Sequence, residues 1–385
     1  MDALLTDGNE RAALAAARSL VDAGYEVGVA APRRRSLAGV SRGVRSLRLA
    51  TDPLTDPAGY AAELGAAARE RHARVLLPVT DASVEAILAG RQYLPSAVAV
   101  PFPDLATYRA ASDKAGMLER ALRAGFDVPE TLVLERPDAT LPRALFPAVL
   151  KPHRSVINTG IRREHLAVRF ADTVADARAA LDALPAAAFP ILLQRRVRGA
   201  GEGLFVLRWN GRVIAEFAHR RLREKPPEGG VSVYRESIAL DDAVVAAGRR
   251  LLDDLDWQGV AMIECKRDAG TRRPVFMEVN GRLWGSLQLA IDAGVDFPRL
   301  LVAGALGERV SAVTQYRVGV RSRWFWGDVD QLYLQLRNGG GARGKLAAVR
   351  DFVRINPRRS REEIWRWRDP APFLLESLQQ FGLAR

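Results

Sequence analysis

The stretch Gly259–Phe297, GVAMIECKRDAGTRRPVFMEVNGRLWGSLQLAIDAGVDF, constrains this chain more than any other. Two apolar runs, Gly259–Ile263 and Val275–Met277, each end on a carboxylate, Glu264 and Glu278. The polar, glycine-containing segment between them predicts a β-hairpin with one acid at the site end of each strand. Asn280 and Arg282 follow Glu278 at every second position, which puts the three side chains on one face of an extended chain. Strand alternation turns Cys265, the neighbour of Glu264, away from that face and into the core. Two carboxylates and an amide oxygen are hard ligands, suited to Mg²⁺ rather than Zn²⁺. Arg282 beside them offers a planar fork that fits a phosphate or a carboxylate.

Lysine usage adds a second constraint. The chain has only five lysines among its 57 basic residues. Two of them stand in SDKAGMLERAL (Lys114) and FPAVLKPHRS (Lys151). An ammonium is a compact point charge for phosphate, so in a chain that otherwise uses arginine these positions read as selected. A fourth block, LLQRRVRGAGEG at Leu192–Gly203, is an apolar strand followed by a Gly-rich bend and an acid.

These four blocks, in this order between about Leu105 and Gly307, resemble the ATP-grasp ligases. The resemblance implies α/β and α+β architecture: a Rossmann-like pre-ATP-grasp domain followed by the two-lobed ATP-grasp fold. It implies a catalytic cycle in which ATP converts a carboxylate into an acyl phosphate and an amine attacks it, releasing ADP and phosphate. The same activation with a thiol, hydroxyl or bicarbonate nucleophile is the alternative, as is an ATP-binding regulatory protein without turnover. The implied cofactors are ATP with Mg²⁺ or Mn²⁺, the metal held by Glu264, Glu278 and Asn280. Lys114 and Lys151 would contact phosphates, Gln194, Arg195, Arg196 and Val197 would form the adenine hinge, and Glu202 would bind the ribose hydroxyls. Arg282 and Lys151 would act on the transferred phosphoryl group. Two departures stand out. Arg195 occupies a position where the family commonly has Glu, and the loop Pro152–Gly160 has Ser155, Asn158 and Thr159 with a single glycine, Gly160, where the family's phosphate loop is Gly-rich.

Composition bounds the rest. A chain of 385 residues exceeds one ordinary core, and the pattern divides it at 1–104, 105–193, 194–310 and 311–385. The first segment alternates strands (Ala3–Leu5, Glu26–Ala31, Val75–Val79, Ala97–Pro101) with helices (Glu10–Ala23, Asp81–Tyr93), the signature of a parallel sheet covered on both faces. Its first strand–helix turn, TDGNERAAL, lacks a dinucleotide fingerprint. One helix is expected over Ala106–Ala124, and a second at LWGSLQLAIDAG with its first turn against the site. Segment 311–385 is expected to pack on the catalytic lobe.

No apolar run reaches the roughly 18 residues of a membrane span, and the start lacks signal-peptide character, so a cytoplasmic location without a membrane partner is expected. The net charge of +12 is spread over separated arginine clusters. That suits anionic small-molecule sites better than one phosphate track, so nucleic acid is not the expected partner. Small carboxylate and amine substrates are, and a homodimer is compatible with the composition. The single cysteine excludes an internal disulfide, and His72, His153, His165 and His219 show no metal-ligand spacing. The charged, Pro/Gly-punctuated segment His219–Ser237 is expected to be a long loop bordering the acceptor side of the site. Its contacts would be His219, Arg220, Arg221, Gly229 and Gly230, with Arg221 the leading one.

Overall fold

The computed structural model describes residues 1–153, 156–158, 163–227, 229–338, 341–356 and 358–383, the side chains of 156–158 and 163–165 excepted. Of the expected phosphate loop, Ser155, Thr159 and Gly160, and the side chain of Asn158, lie outside this description.

The N-terminal segment builds a parallel sheet of β1 (Ala3–Leu5), β2 (Val27–Ala31), β3 (Val44–Arg48) and β4 (Val75–Leu77) in the order 3-2-1-4. Helices α1 (Arg11–Asp22), α2 (Pro57–Glu70) and α3 (Asp81–Ala89) cover it. Strands β1, β2 and β4 are buried throughout, as a parallel sheet between helices requires. The expected strand Ala97–Pro101 reduces to one parallel bridge between Val75 and Ala99.

The expected helix over Ala106–Ala124 is two: α4 (Leu105–Ser112) and α5 (Lys114–Ala124). Asp113 breaks it, because its carboxylate caps the second helix at the Ala115 amide, and an N-cap takes an extended backbone. Lys114 is therefore the first residue of a helix.

A second sheet pairs β5 (Thr131–Leu134), β6 (Ala148–Pro152), β9 (Arg169–Ala171) and β10 (Ile191–Arg195) in the order 5-10-6-9. Strands β7 (Val156–Asn158) and β8 (Arg163–His165) form a separate hairpin, and α6 (Val174–Asp182) packs beside β9.

The largest sheet has seven strands: β11 (Gly199–Trp209), β12 (Arg212–Lys225), β13 (Val231–Ile238), β14 (Gly259–Asp268), β15 (Pro274–Asn280), β16 (Arg321–Arg323) and β17 (Ser360–Glu362). Their order is 15-14-11-12-13-16-17. The segment His219–Ser237 is thus no long loop. It is the paired ends of β12 and β13, whose last pair is Lys225 with Val231. Its charges are satisfied within the fold: Arg223 forks onto the fully buried Asp328 at 2.7 and 2.6 Å.

Helices α7 (Asp242–Asp254), α8 (Leu287–Ala293) and α9 (Phe297–Ala305) pack around this sheet, and α1 packs on α8 and α9. The C-terminal helices are α10 (Phe325–Asn338), α11 (Gly341–Val353) and α12 (Ala371–Gln380). Segment 311–385 adds two strands to the large sheet and also reaches α1, where Arg18 donates to Asp369 at 2.8 Å. Among the described residues no helix is long and apolar enough to cross a membrane.

Candidate active site

The register of the large sheet builds the site. Gly203 on β11 pairs with Glu264 on one side and His219 on the other, and Glu264 pairs with Glu278. Directly opposed residues share a face, so His219, Gly203, Glu264 and Glu278 form one row across four strands. Glycine at 203 keeps the row open, since a Cβ there would lie 2.8 Å from the Phe205 ring and 3.4 Å from His219. At Gly201 a Cβ would meet the Arg221 stem at 2.8 Å. A bulge after Glu264 adds one residue to β15, and Met277 and Glu278 both line the cavity as a result.

That cavity, about 680 Å³, runs between the second sheet and the row. Of the expected residues, Lys151, Gln194, Arg195, Arg196, Val197, His219, Arg221, Gly229, Gly230, Glu264, Glu278, Asn280 and Arg282 line it. Lys114 stands behind the acids, its Nζ 3.6 Å from Glu278 Oε2.

Two expectations are corrected. Glu202 pairs in register with Cys265, the residue turned from the site, and its carboxylate binds Arg267 at 2.7 Å on the opposite face. Arg220 alternates away from its neighbours and forks onto Glu236 at 3.1 and 2.7 Å. The helix expected to start against the site is also shorter and later, α8 opening only at Leu287.

The acids sit in a strong local field. Burial and the neighbouring Glu278 push the Glu264 carboxyl up, against the pull of Arg221, whose Nη2 donates to Glu264 at 2.6 Å. Burial opposes the charge on Glu278 as well, but Lys114 and Lys151 outweigh it and hold that carboxyl below the usual range. Arg221 is no free cation, since Glu224 takes its other amino group at 3.0 Å. Burial lowers Lys151, in part offset by Glu278 and Glu264. The Asn280 amide N–H donates to Glu278 Oε1 at 3.3 Å. Two carboxylates and an amide oxygen fit a hard divalent cation that draws its remaining ligands from phosphates and water. Among the described residues no group of three or more His, Cys, Asp or Glu could hold a metal alone.

At the second sheet, the Gln194 amide donates to Thr131 Oγ1 at 3.0 Å and Arg195 forks onto Glu130. The amides of Arg195 and Arg196 are spent on the carbonyls of Glu130 and Pro147, both at 2.9 Å. The Arg196 guanidinium lies 4.8 Å over the Phe170 ring. Val149, Met262 and Met277 line the same cavity and add apolar surface to it.

Some groups in or behind the site owe their place to distant parts of the chain. Arg282 Nε donates to Asp81 at 2.8 Å, and Asp81 opens α3 in the N-terminal segment. Burial pushes Asp81 up, but Arg282 outweighs it and keeps the carboxylate charged. Arg11, from the first turn of α1, lines the far end, stacked 4.0 Å over Trp324 and paired with Glu363 at 2.8 Å. Gly281, between Asn280 and Arg282, has an equally remote cause: a Cβ there would lie 2.3 Å from Trp257, which is 1 % exposed. Gly281→Ala is expected to cost about 1–3 kcal/mol by overpacking, read as a lowered thermal midpoint.

Comparison with known proteins agrees with this geometry. The family model described as ATP-grasp in the biosynthetic pathway with Ter operon matches residues 190–327. No curated protein matches the sequence. Among solved structures, the chain is similar to the N5-carboxyaminoimidazole ribonucleotide synthetase of Thermus thermophilus (16% identity, TM-score 0.62, 92% of this chain and 99% of that one). It is also similar to the L-amino acid ligase of Bacillus licheniformis (15%, 0.59, 80% and 74%). A third is the biotin carboxylase domain of Hydrogenobacter thermophilus 2-oxoglutarate carboxylase, in complex with MgADP, ADP and bicarbonate (15%, 0.65, 83% and 73%). A Rossmann-like sheet, a small antiparallel lobe and a large sheet carrying paired acids, together with the matched segment, give this chain the ATP-grasp fold.

Proposed function

We propose that this chain is an ATP-dependent ligase that activates a carboxylate as an acyl phosphate for attack by an amine. The observation that carries the reading is the convergence of Glu264, Glu278, Asn280, Lys151 and Arg282 on one cavity that the apolar side chains Val149, Met262 and Met277 also line. The match to an ATP-grasp family and the MgADP complex of a structural neighbour support it.

In this reading the base lies between Val149, Met262 and Met277, met by Val197 and the hinge carbonyls. The ribose acid is not Glu202. Glu264, Glu278 and Asn280 would hold Mg²⁺, which would supply positive charge to the phosphates. Lys151 contacts phosphate oxygens as the charge shifts onto the leaving ADP. Arg282, held by Asp81 from another segment, is fixed before substrate arrives, so little is lost in ordering it. Arg221, paired with Glu264 at 2.6 Å, adds positive charge beside the acids.

Lys151→Ala is expected to weaken ATP binding and turnover together by at least tenfold. A charge-assisted contact contributes about 1.5–3 kcal/mol, and about 1.4 kcal/mol is a factor of ten. Calorimetric titration with an ATP analogue checks it. The reading as a whole is tested by ADP release against a panel of amino acids and small carboxylates. Stimulation by a carboxylate and an amine together supports it, and stimulation only by a thiol, an alcohol or bicarbonate changes the nucleophile. No turnover with any pair contradicts it.

A further inference from the structure

Two side chains at the far end of the cavity are built for a ligand and have none of their polar needs met by the described residues. His219 is 1 % exposed and Trp284 2 % exposed, yet among the described residues both ring nitrogens of His219 and the indole Nε1 of Trp284 lack hydrogen-bond partners. Both residues line the cavity. Both rings pack on Phe205, which serves as their common platform at centroid distances of 4.7 and 4.4 Å. Arg221, two residues along the same strand face, adds a buried Nε that has no partner among the described residues.

A buried polar atom left unpaired is costly, and native interiors hold few of them. A platform with three such side chains, in a place where Leu or Phe would pack at no such cost, is an arrangement completed by a polar ligand.

The inventory of donors and acceptors defines that ligand. The Trp284 indole N–H and the Arg221 Nε–H can only donate. Burial and the charges of Arg221 and Arg235 push the His219 pKa well down, so its imidazole is neutral and has one donor and one acceptor nitrogen. The ligand must therefore present acceptors to the indole and the guanidinium, and an N–H or O–H to the acceptor nitrogen of the imidazole. His219 shares its row with Glu264 and Glu278, separated from them only by Gly203, so a ligand here reaches the phosphate end.

We propose that His219 and Trp284 form the subsite for the attacking nucleophile, a small primary amine that carries a neighbouring acceptor group such as a carboxylate or carboxamide. The amine N–H donates to His219, and the acceptor group receives the Trp284 and Arg221 N–H groups. Both are positioning residues: they aim the amine lone pair along the row at the acyl carbon. The C–N bond forms, the bond from the acyl carbon to the phosphate oxygen breaks with its electron pair leaving on phosphate, and one amine proton is released. The inference rests on the ligase reading and deepens it.

The test uses the full chain with ¹⁵N-labelled histidine, in the presence of MgADP, His219 being assigned by the loss of its signals in His219→Gln. Amino acids and their carboxamides are added singly, then simple alcohols, thiols and bicarbonate. The expected result is that at least one amine of the stated class moves the His219 nitrogen signals saturably and is also the amine that stimulates ADP release. Trp284→Phe should then raise the KM for that amine by about tenfold, as loss of a neutral hydrogen bond implies, with MgADP affinity unchanged. His219→Leu should raise it further, and His219→Gln should recover part of the loss.

If no amine moves the His219 signals while MgADP binds, the platform is filled by solvent and the inference is overturned, with the nucleotide reading intact. Movement by an alcohol, thiol or bicarbonate instead overturns it as well. Failure to bind MgADP at all removes the ligase reading itself.

Discussion

Glu278→Gln is expected to abolish ATP turnover in a protein that still folds. The substitution keeps the shape of the side chain and removes the charge that Lys114 and Lys151 stabilise. A neutral amide is a poor ligand for a hard divalent cation. Loss of a partner that merely supports a metal ligand costs roughly 10–100-fold in affinity or activity, so loss of the ligand itself should cost more. The fold is expected to survive because Glu278 is half-buried rather than a core residue, and its removal relieves the repulsion that raises Glu264. The check is ADP release beside a thermal melt. Wild-type rates from a folded variant would remove the metal from this row.

The largest loss of stability is expected at Glu363, far from the nucleotide slot. Glu363 is 3 % exposed and is shared by Arg235, which is fully buried, and by Arg11 of α1. Glu363→Ala leaves the Arg235 guanidinium in the interior without its counter-ion, which costs about 3–5 kcal/mol for a buried pair broken on one side. It also releases Arg11, and with it the contact by which the N-terminal segment closes the far end of the cavity. Urea unfolding should show the midpoint fall sharply. Replacing the pair together, Arg235→Met with Glu363→Leu, should recover much of the loss, since the cost comes from the charge left alone rather than from the absence of the bridge.

What was legible in the sequence was local and periodic. Glu264, Glu278, Asn280 and Arg282 lie within one hairpin and its exit, and strand alternation alone places them together. The strands and helices of the N-terminal sheet follow from apolar runs of the right period. Misplacements arose where position depends on register or on distant chain. Glu202 differs from Gly203 by one residue, and one residue decides which face of a strand a side chain takes. Arg220 fails for the same reason beside Arg221. The run of charges with Pro226, Pro227, Gly229 and Gly230 resembles a loop, yet it is a hairpin whose cations find buried acids such as Asp328 a hundred residues away. Asp81 and Arg11 could not be assigned from local pattern at all, because tertiary packing alone brings α3 and α1 to the site. Met277 enters it only through a bulge.

In the proposed reaction this cavity transfers the terminal phosphoryl group of ATP to a carboxylate. The most direct measurement supplies the carboxylate that stimulates turnover with ¹⁸O in its carboxyl group and follows the label by mass spectrometry. Formation and attack of an acyl phosphate carry one ¹⁸O from the carboxylate into inorganic phosphate, alongside ADP. Label appearing in AMP with release of pyrophosphate, or unlabelled phosphate alone, would contradict the account.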